Sequence, residues 1–114
     1  MTEMTSIERV VTTLSHREPD RVPLFSLMMF FPANRAGTSY RQYATDCNAL
    51  VDAQINLFEN YCVDALTVST DAYVISADIG VQMEYPEEQT PFAVEHFVRT
   101  ENEFRALRRP DPFK

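Results

Sequence analysis

Residues 58–71 read FENYCVDALTVSTD: the end of a helical pattern, a short apolar run, and an aspartate where the run stops. Ala65-Leu66-Thr67-Val68-Ser69 is short, β-branched and almost continuously apolar, which predicts a strand covered on both faces. An earlier run, Val22-Pro23-Leu24-Phe25-Ser26-Leu27-Met28-Met29, has the same character. Its proline is tolerated only at the strand start. Strand, helices and strand within about 45 residues form a βαβ unit with a right-handed crossover. The fold class expected from the residues is therefore α/β, with 22–29 and 65–69 parallel neighbours.

The intervening helices carry their own signals. Ser39-Tyr40-Arg41-Gln42 fits a capping box and opens a short helix through Tyr43 or Ala44. Asp46 caps a longer helix to about Tyr61, whose apolar face is Leu50, Ala53, Leu57, Phe58 and Tyr61. Upstream, Thr5-Ser6-Ile7-Glu8 is another capping box, and Ile7, Val10, Val11 and Leu14 follow at helical spacing to a stop near Ser15. Downstream, residues 72–79 form a brief helix ended by Gly80 in the left-handed conformation. Val81 to Tyr85 alternates with period two and pairs as a hairpin with Phe92 to Val98. Thr100-Glu101-Asn102-Glu103 opens a last helix with Phe104 and Leu107 inward, and Arg109-Pro110-Asp111-Pro112 reads as a linker.

Composition narrows the function classes. The 114 residues make one domain, 1–114, and 45% hydrophobic content supplies a core. Seventeen acidic against ten basic side chains, a net charge of −7, argues against a nucleic-acid partner, which needs clustered Lys and Arg. LFSLMMFFPA, the longest apolar stretch, is about half the roughly 20 residues of a membrane span. MTEMTSIERV lacks the basic start and apolar centre of a signal peptide, so a cytoplasmic location is expected. Cys47 and Cys62 on one helix lie about 22 Å apart and cannot bridge.

Chemistry in parallel α/β folds sits beyond the C-terminal ends of strands. Asp71 lies there, and two readings stand: an acceptor or general base for a ligand, or the N-cap of the helix over 72–79. Arg35 and Arg41 flank the loop after the first run, where either can clamp a carboxylate or phosphate or simply face solvent. Met28 and Phe30, at the tip of the first run, and Tyr73, beside Asp71, are the candidate apolar contacts. His16 and His96 are isolated and read as solvated. No metal-ligand spacing, phosphate loop or nucleophile elbow occurs.

The succession SIERVVTTLSHREPDRVPLF (6–25), RAGTSYRQYATD (35–46), DAQINLFENYCVDALTVSTDAY (52–73) and RRPDP (108–112) resembles the N-terminal part of the uroporphyrinogen decarboxylase superfamily. Glu18-Pro19-Asp20-Arg21-Val22-Pro23 is its most specific segment. The resemblance implies a partial (β/α)8 TIM barrel: N-terminal helices, two βα units and a hairpin, incomplete as a closed barrel. It implies that Asp71 matches the aspartate that contacts the substrate's pyrrole N–H groups, and that the ligand is a tetrapyrrole or a corrinoid. The family's decarboxylases carry Arg-Gln-Ala-Gly-Arg after the first strand. Here that region reads Met28-Met29-Phe30-Phe31-Pro32-Ala33-Asn34-Arg35-Ala36-Gly37, where Arg35 alone can substitute. The corrinoid methyltransferase-like branch is the better match, with tetrapyrrole decarboxylation and a non-catalytic binding or assembly module as alternatives. The corrinoid and zinc of that branch are expected in a longer parent protein. The expected chain is catalytically incomplete, truncated, and covered by a second copy of itself or by the missing barrel half.

Overall fold

The computed structural model describes residues 3–25, 27–68, 71–95, 98–107 and 109–110. In chain order its elements are α1 (Ser6–Leu14), α2 (Phe31–Ala36), α3 (Tyr40–Thr45), α4 (Cys47–Tyr61), α5 (Val74–Asp78), β1 (Met83–Glu84), β2 (Phe92–Ala93) and α6 (Glu101–Arg105). The architecture is mixed α/β, rich in helix, with a single two-stranded sheet among the described residues.

The helix boundaries follow local hydrogen-bond chemistry. Thr5 and Glu8 close a reciprocal capping box on α1, and Thr100 and Glu103 close another on α6. Ser39 caps α3 by accepting the Gln42 N–H. Asp46 ends α3 and caps α4 by accepting the Asn48 N–H. Pro32 stands in the first turn of α2, where a missing N–H costs nothing, and Gly37 closes that helix at φ 70°.

Packing gathers around α2, α3 and α4. Phe30, Ala33, Tyr43 and Ala53 form the buried cluster, and Met29, Tyr40, Ala44 and Leu50 pack on it. The Phe30 ring stacks on Tyr40 with centroids 4.6 Å apart and tilts against Tyr43 at 5.6 Å. The Tyr43 hydroxyl accepts the Gln54 amide N–H at 2.6 Å, which satisfies both polar groups inside the cluster. The small sheet is the expected hairpin, cut short: Met83 faces Ala93 and Glu84 faces Phe92, antiparallel. The Tyr40 N–H donates to the Glu87 carbonyl at 2.8 Å, tying the hairpin turn to α3.

Four expectations need correction. First, the described parts of 22–29 and 65–69 form no regular strand; Ser26 and Ser69 lie outside the described residues. The runs touch at their starts, where the Asp64 N–H donates to the Leu24 carbonyl at 2.8 Å. Apolar runs of this kind become strands only where both edges are paired along their length. Second, the stripe of α1 faces outward: Ile7, Val11 and Leu14 are exposed, and the buried residue of this helix is Arg9. Periodicity specifies which residues share a face, and a charged neighbour decided which face is covered. Third, α4 buries a narrower face than expected, Ala53, Gln54 and Leu57, and leaves Phe58 and Tyr61 exposed. Fourth, Phe104 in α6 faces outward and is exposed, while Leu107, two residues past that helix, is half-buried. The helix expected over 72–79 is α5, with Gly80 just beyond it at φ 105°. His96, Phe97 and the end of the linker at 111–112 lie outside the described residues.

The chain is extended. Its radius of gyration is 18.2 Å, against about 13 Å for a compact chain of this length. Its accessible surface is 8735 Å², against about 6,400 Å² for a compact protein of 13.1 kDa.

Candidate functional site

A cleft of about 830 Å³ opens between the α3–α4 junction and the start of α5. Tyr43, Cys47 and Leu50 line one wall; Val68, Asp71 and Val74 line the other. The volume lies within the range of small-molecule sites. Its walls are mainly apolar, with two carboxylates, Asp46 and Asp71, and no Lys or Arg among the described lining residues.

Asp71 is 8% exposed. Its Oδ1 accepts the Tyr73 N–H at 2.6 Å, a two-residue turn that sets the carboxylate in front of α5. The helix itself begins at Val74, with Tyr73 at its N-cap position and no side chain capping it. Asp71 thus shapes the approach to α5 without occupying its N-cap. Tyr85 on the hairpin feels this charge: burial first, then Asp71 and Asp78, push its phenol up. Burial likewise raises the Tyr43 phenol, with the Gln54 amide opposing.

The other candidate contacts are dispersed. Tyr73 lines a separate groove of about 760 Å³ with Phe92, Val94 and Arg99. Phe30 is in the buried cluster, and Met28 is half-buried just before it. Arg35 lies on α2 and donates through Nε to the Tyr61 hydroxyl, with its guanidinium 5.7 Å from the ring centroid. Arg41 donates to the Tyr85 carbonyl at 2.7 Å and pairs with Glu87 at 3.0 Å. Of these residues, Asp71 alone lines the cleft. The sequence marks Asp46 as a cap, Leu50 as part of an apolar helix face, and Cys47 only as too far from Cys62 to bridge. The helix phase of α4 places Cys47 and Leu50 near one another, but only the tertiary structure brings Asp71 opposite them.

A second polar constellation explains the Glu18–Pro23 segment. Asp64, at the end of the connection from α4, accepts from Arg9, from both terminal nitrogens of Arg21 (2.7 and 3.0 Å), and from the Leu24 N–H (2.7 Å). Asp20 accepts from Arg9 Nε at 2.6 Å and from its other terminal nitrogen at 2.8 Å. Arg9 also donates to the Met4 carbonyl, and the Met4 N–H donates to Asp20 at 2.8 Å. The side chains of Arg9 and Asp64 are 3% and 0% exposed. Burial alone pushes the Asp64 carboxyl up; the Leu24 N–H and the Arg21 and Arg9 guanidiniums override it and hold it at about 2. The bond from Arg9 holds Asp20 well below the carboxylate range, and Asp20 in turn raises Arg9. This cluster is a structural clasp that fastens α1 to the starts of both apolar runs.

Among the described residues, no three His, Cys, Asp or Glu side chains converge as a metal would require, and no helix is long and apolar enough to cross a membrane. The family model described as uroporphyrinogen decarboxylase (URO-D) matches residues 5–114. No curated protein and no solved structure matches the chain.

Proposed function

Because the chain belongs to the uroporphyrinogen decarboxylase family, we propose that the cleft under Asp71 is part of a tetrapyrrole-type ligand site, of the kind used by its corrinoid methyltransferase-like branch. The observation that carries this reading is the lining among the described residues: an apolar wall, two carboxylates and no Lys or Arg. A polycarboxylate such as uroporphyrinogen needs arginines to neutralise its acetate and propionate arms. Arg35, the one candidate in the motif region, is engaged with Tyr61 and does not line the cleft. A corrinoid presents a broad apolar ring edged by amide N–H donors, which suits carboxylate acceptors. Asp71 is the acceptor for an edge N–H, positioned by the Tyr73 backbone; Asp46 is a second acceptor across the cleft; Leu50 and Val74 pack on the ring.

The methyltransferase branch also uses zinc. Lacking a converging donor set among its described residues, this chain is assigned no metal-dependent step. Its role is to bind and orient, and the complete chemistry belongs to a full (β/α)8 barrel in which 22–29 and 65–69 are the first two strands. The bond between Asp64 and Leu24 supports that adjacency.

Visible spectroscopy of a cobalamin-type corrinoid titrated with the chain tests the reading. The expected result is a saturable spectral shift that Asp71→Ala weakens at least about tenfold, the equivalent of one charge-assisted hydrogen bond. Binding of uroporphyrin in preference to the corrinoid would transfer the site to the decarboxylase branch. No shift with either ligand would remove the tetrapyrrole reading altogether.

A further inference from the structure

Tyr73, which the Asp71 cleft leaves out, lines a groove of about 760 Å³ between the turn before α5, the end of β2 and the approach to α6. Tyr73, Phe92 and Val94 are its apolar walls, each 40–42% exposed, and Glu95 and Arg99 are its charges. Each wall is pinned through its backbone. The Tyr73 N–H donates to Asp71 Oδ1 at 2.6 Å, the Val94 N–H to the Gln82 carbonyl at 3.0 Å, and the Arg99 N–H to Glu103 Oε2 at 2.7 Å. The last bond extends the capping box of α6, in which Glu103 also accepts the Thr100 N–H. The Arg99 backbone is therefore held while its side chain stays exposed.

The two charges are available to a ligand. Arg41 pairs with Glu87, Arg105 with Glu101, and Arg9 and Arg21 with Asp64. The side chains of Arg99 and Glu95 make no ion pair or hydrogen bond, with each other or with any other described residue.

That combination selects a ligand class. A simple carboxylic acid would match Arg99 and set its charge against Glu95. A simple amine would match Glu95 and set its charge against Arg99. An uncharged apolar molecule would shut both charges away from water unpaired, a cost larger than its contacts contribute. A zwitterion satisfies both: the guanidinium fork donates two N–H bonds to a carboxylate, and the Glu95 carboxylate accepts from an ammonium. Tyr73 and Phe92, with Val94, then cover an apolar or aromatic side chain.

We propose that this groove binds a free α-amino acid with an aromatic or large apolar side chain: Arg99 on its carboxylate, Glu95 on its ammonium, Tyr73 and Phe92 around the side chain. No lining residue is shared with the Asp71 cleft, so the site stands apart from the corrinoid reading.

Isothermal titration of the full chain with L-phenylalanine tests the assignment, beside 3-phenylpropionate, which lacks the ammonium, and phenethylamine, which lacks the carboxylate. The expected result is saturable binding of L-phenylalanine with a Kd below about 1 mM, and at least about tenfold weaker binding of the other two, the loss of one charge-assisted bond. Arg99→Ala should weaken L-phenylalanine at least about tenfold, and Glu95→Gln should bring 3-phenylpropionate within about threefold of it. Both side chains are exposed, and Arg99→Ala keeps the N–H that Glu103 accepts, so far-UV circular dichroism of the variants should match the native chain. No saturation by L-phenylalanine at about 10 mM, equal affinity for the three compounds, or affinity unchanged in Arg99→Ala would overturn the proposal.

Discussion

Replacing Asp64 by alanine removes the acceptor on which two guanidiniums and one backbone N–H converge. The side chain is fully buried, and removing one partner of a buried ion pair costs about 3–5 kcal/mol. Two features place this case at the lower end. Asp20 remains on Arg9, so the buried guanidinium keeps half of its neutralisation. Arg21 is 44% exposed and recovers hydration, so its bond contributes under about 1 kcal/mol. The Leu24 N–H loses its acceptor, a further loss of about 1 kcal/mol. The expected destabilisation of Asp64→Ala is therefore about 3 kcal/mol. With a urea slope of about 1.5 kcal/mol per M, the unfolding midpoint should fall by about 2 M at unchanged slope. Asp64→Asn keeps an acceptor for Leu24 while discarding the charge, and should recover about 1 kcal/mol of the loss. A midpoint shift under about 0.5 M for Asp64→Ala would refute the claim that this clasp holds the chain together.

Acid should reveal the same group: with its folded value near 2 against an ordinary 3.8, Asp64 adds stability that is complete above pH 4 and lost as pH falls through 2. Urea midpoints measured from pH 5 to pH 2 should fall steeply for the native chain and more shallowly for Asp64→Ala. Tyr43→Phe strands the buried Gln54 amide and should cost about 1–2 kcal/mol, while Tyr43→Phe with Gln54→Leu should regain most of it; equal losses in the two variants would deny the pairing. Thr5→Ala opens the capping box of α1 and should cost about 1 kcal/mol, read from the same urea curves.

What the sequence disclosed divides along the range of the forces involved. The caps at Thr5, Ser39, Asp46 and Thr100 were legible because each bond is made within three residues. The hairpin was legible from its period of two, though the ladder is shorter than the alternation. The apolar runs at 22–29 and 65–69 look like strands because composition reports burial preference; whether a ladder forms depends on neighbours far along the chain. Arg9 was invisible for the same reason. Its partner Asp64 is 55 residues away, and no local pattern marks an arginine for burial. Asp71 stood out as the charge ending an apolar run. Its companions Cys47 and Leu50 did not, since their place in the cleft depends on how α4 meets α5.

The clasp also fixes an order of motion. Helix α1 fully buries no apolar side chain, so its attachment has little of the temperature dependence of hydrophobic contact. Once the bonds of Arg9 and Met4 to Asp20 and Asp64 break, residues 4–15 should release as a unit before the α2–α4 cluster loosens. In hydrogen exchange, the amides of 9–14 would then trade together at one rate, earlier than those of 53–57.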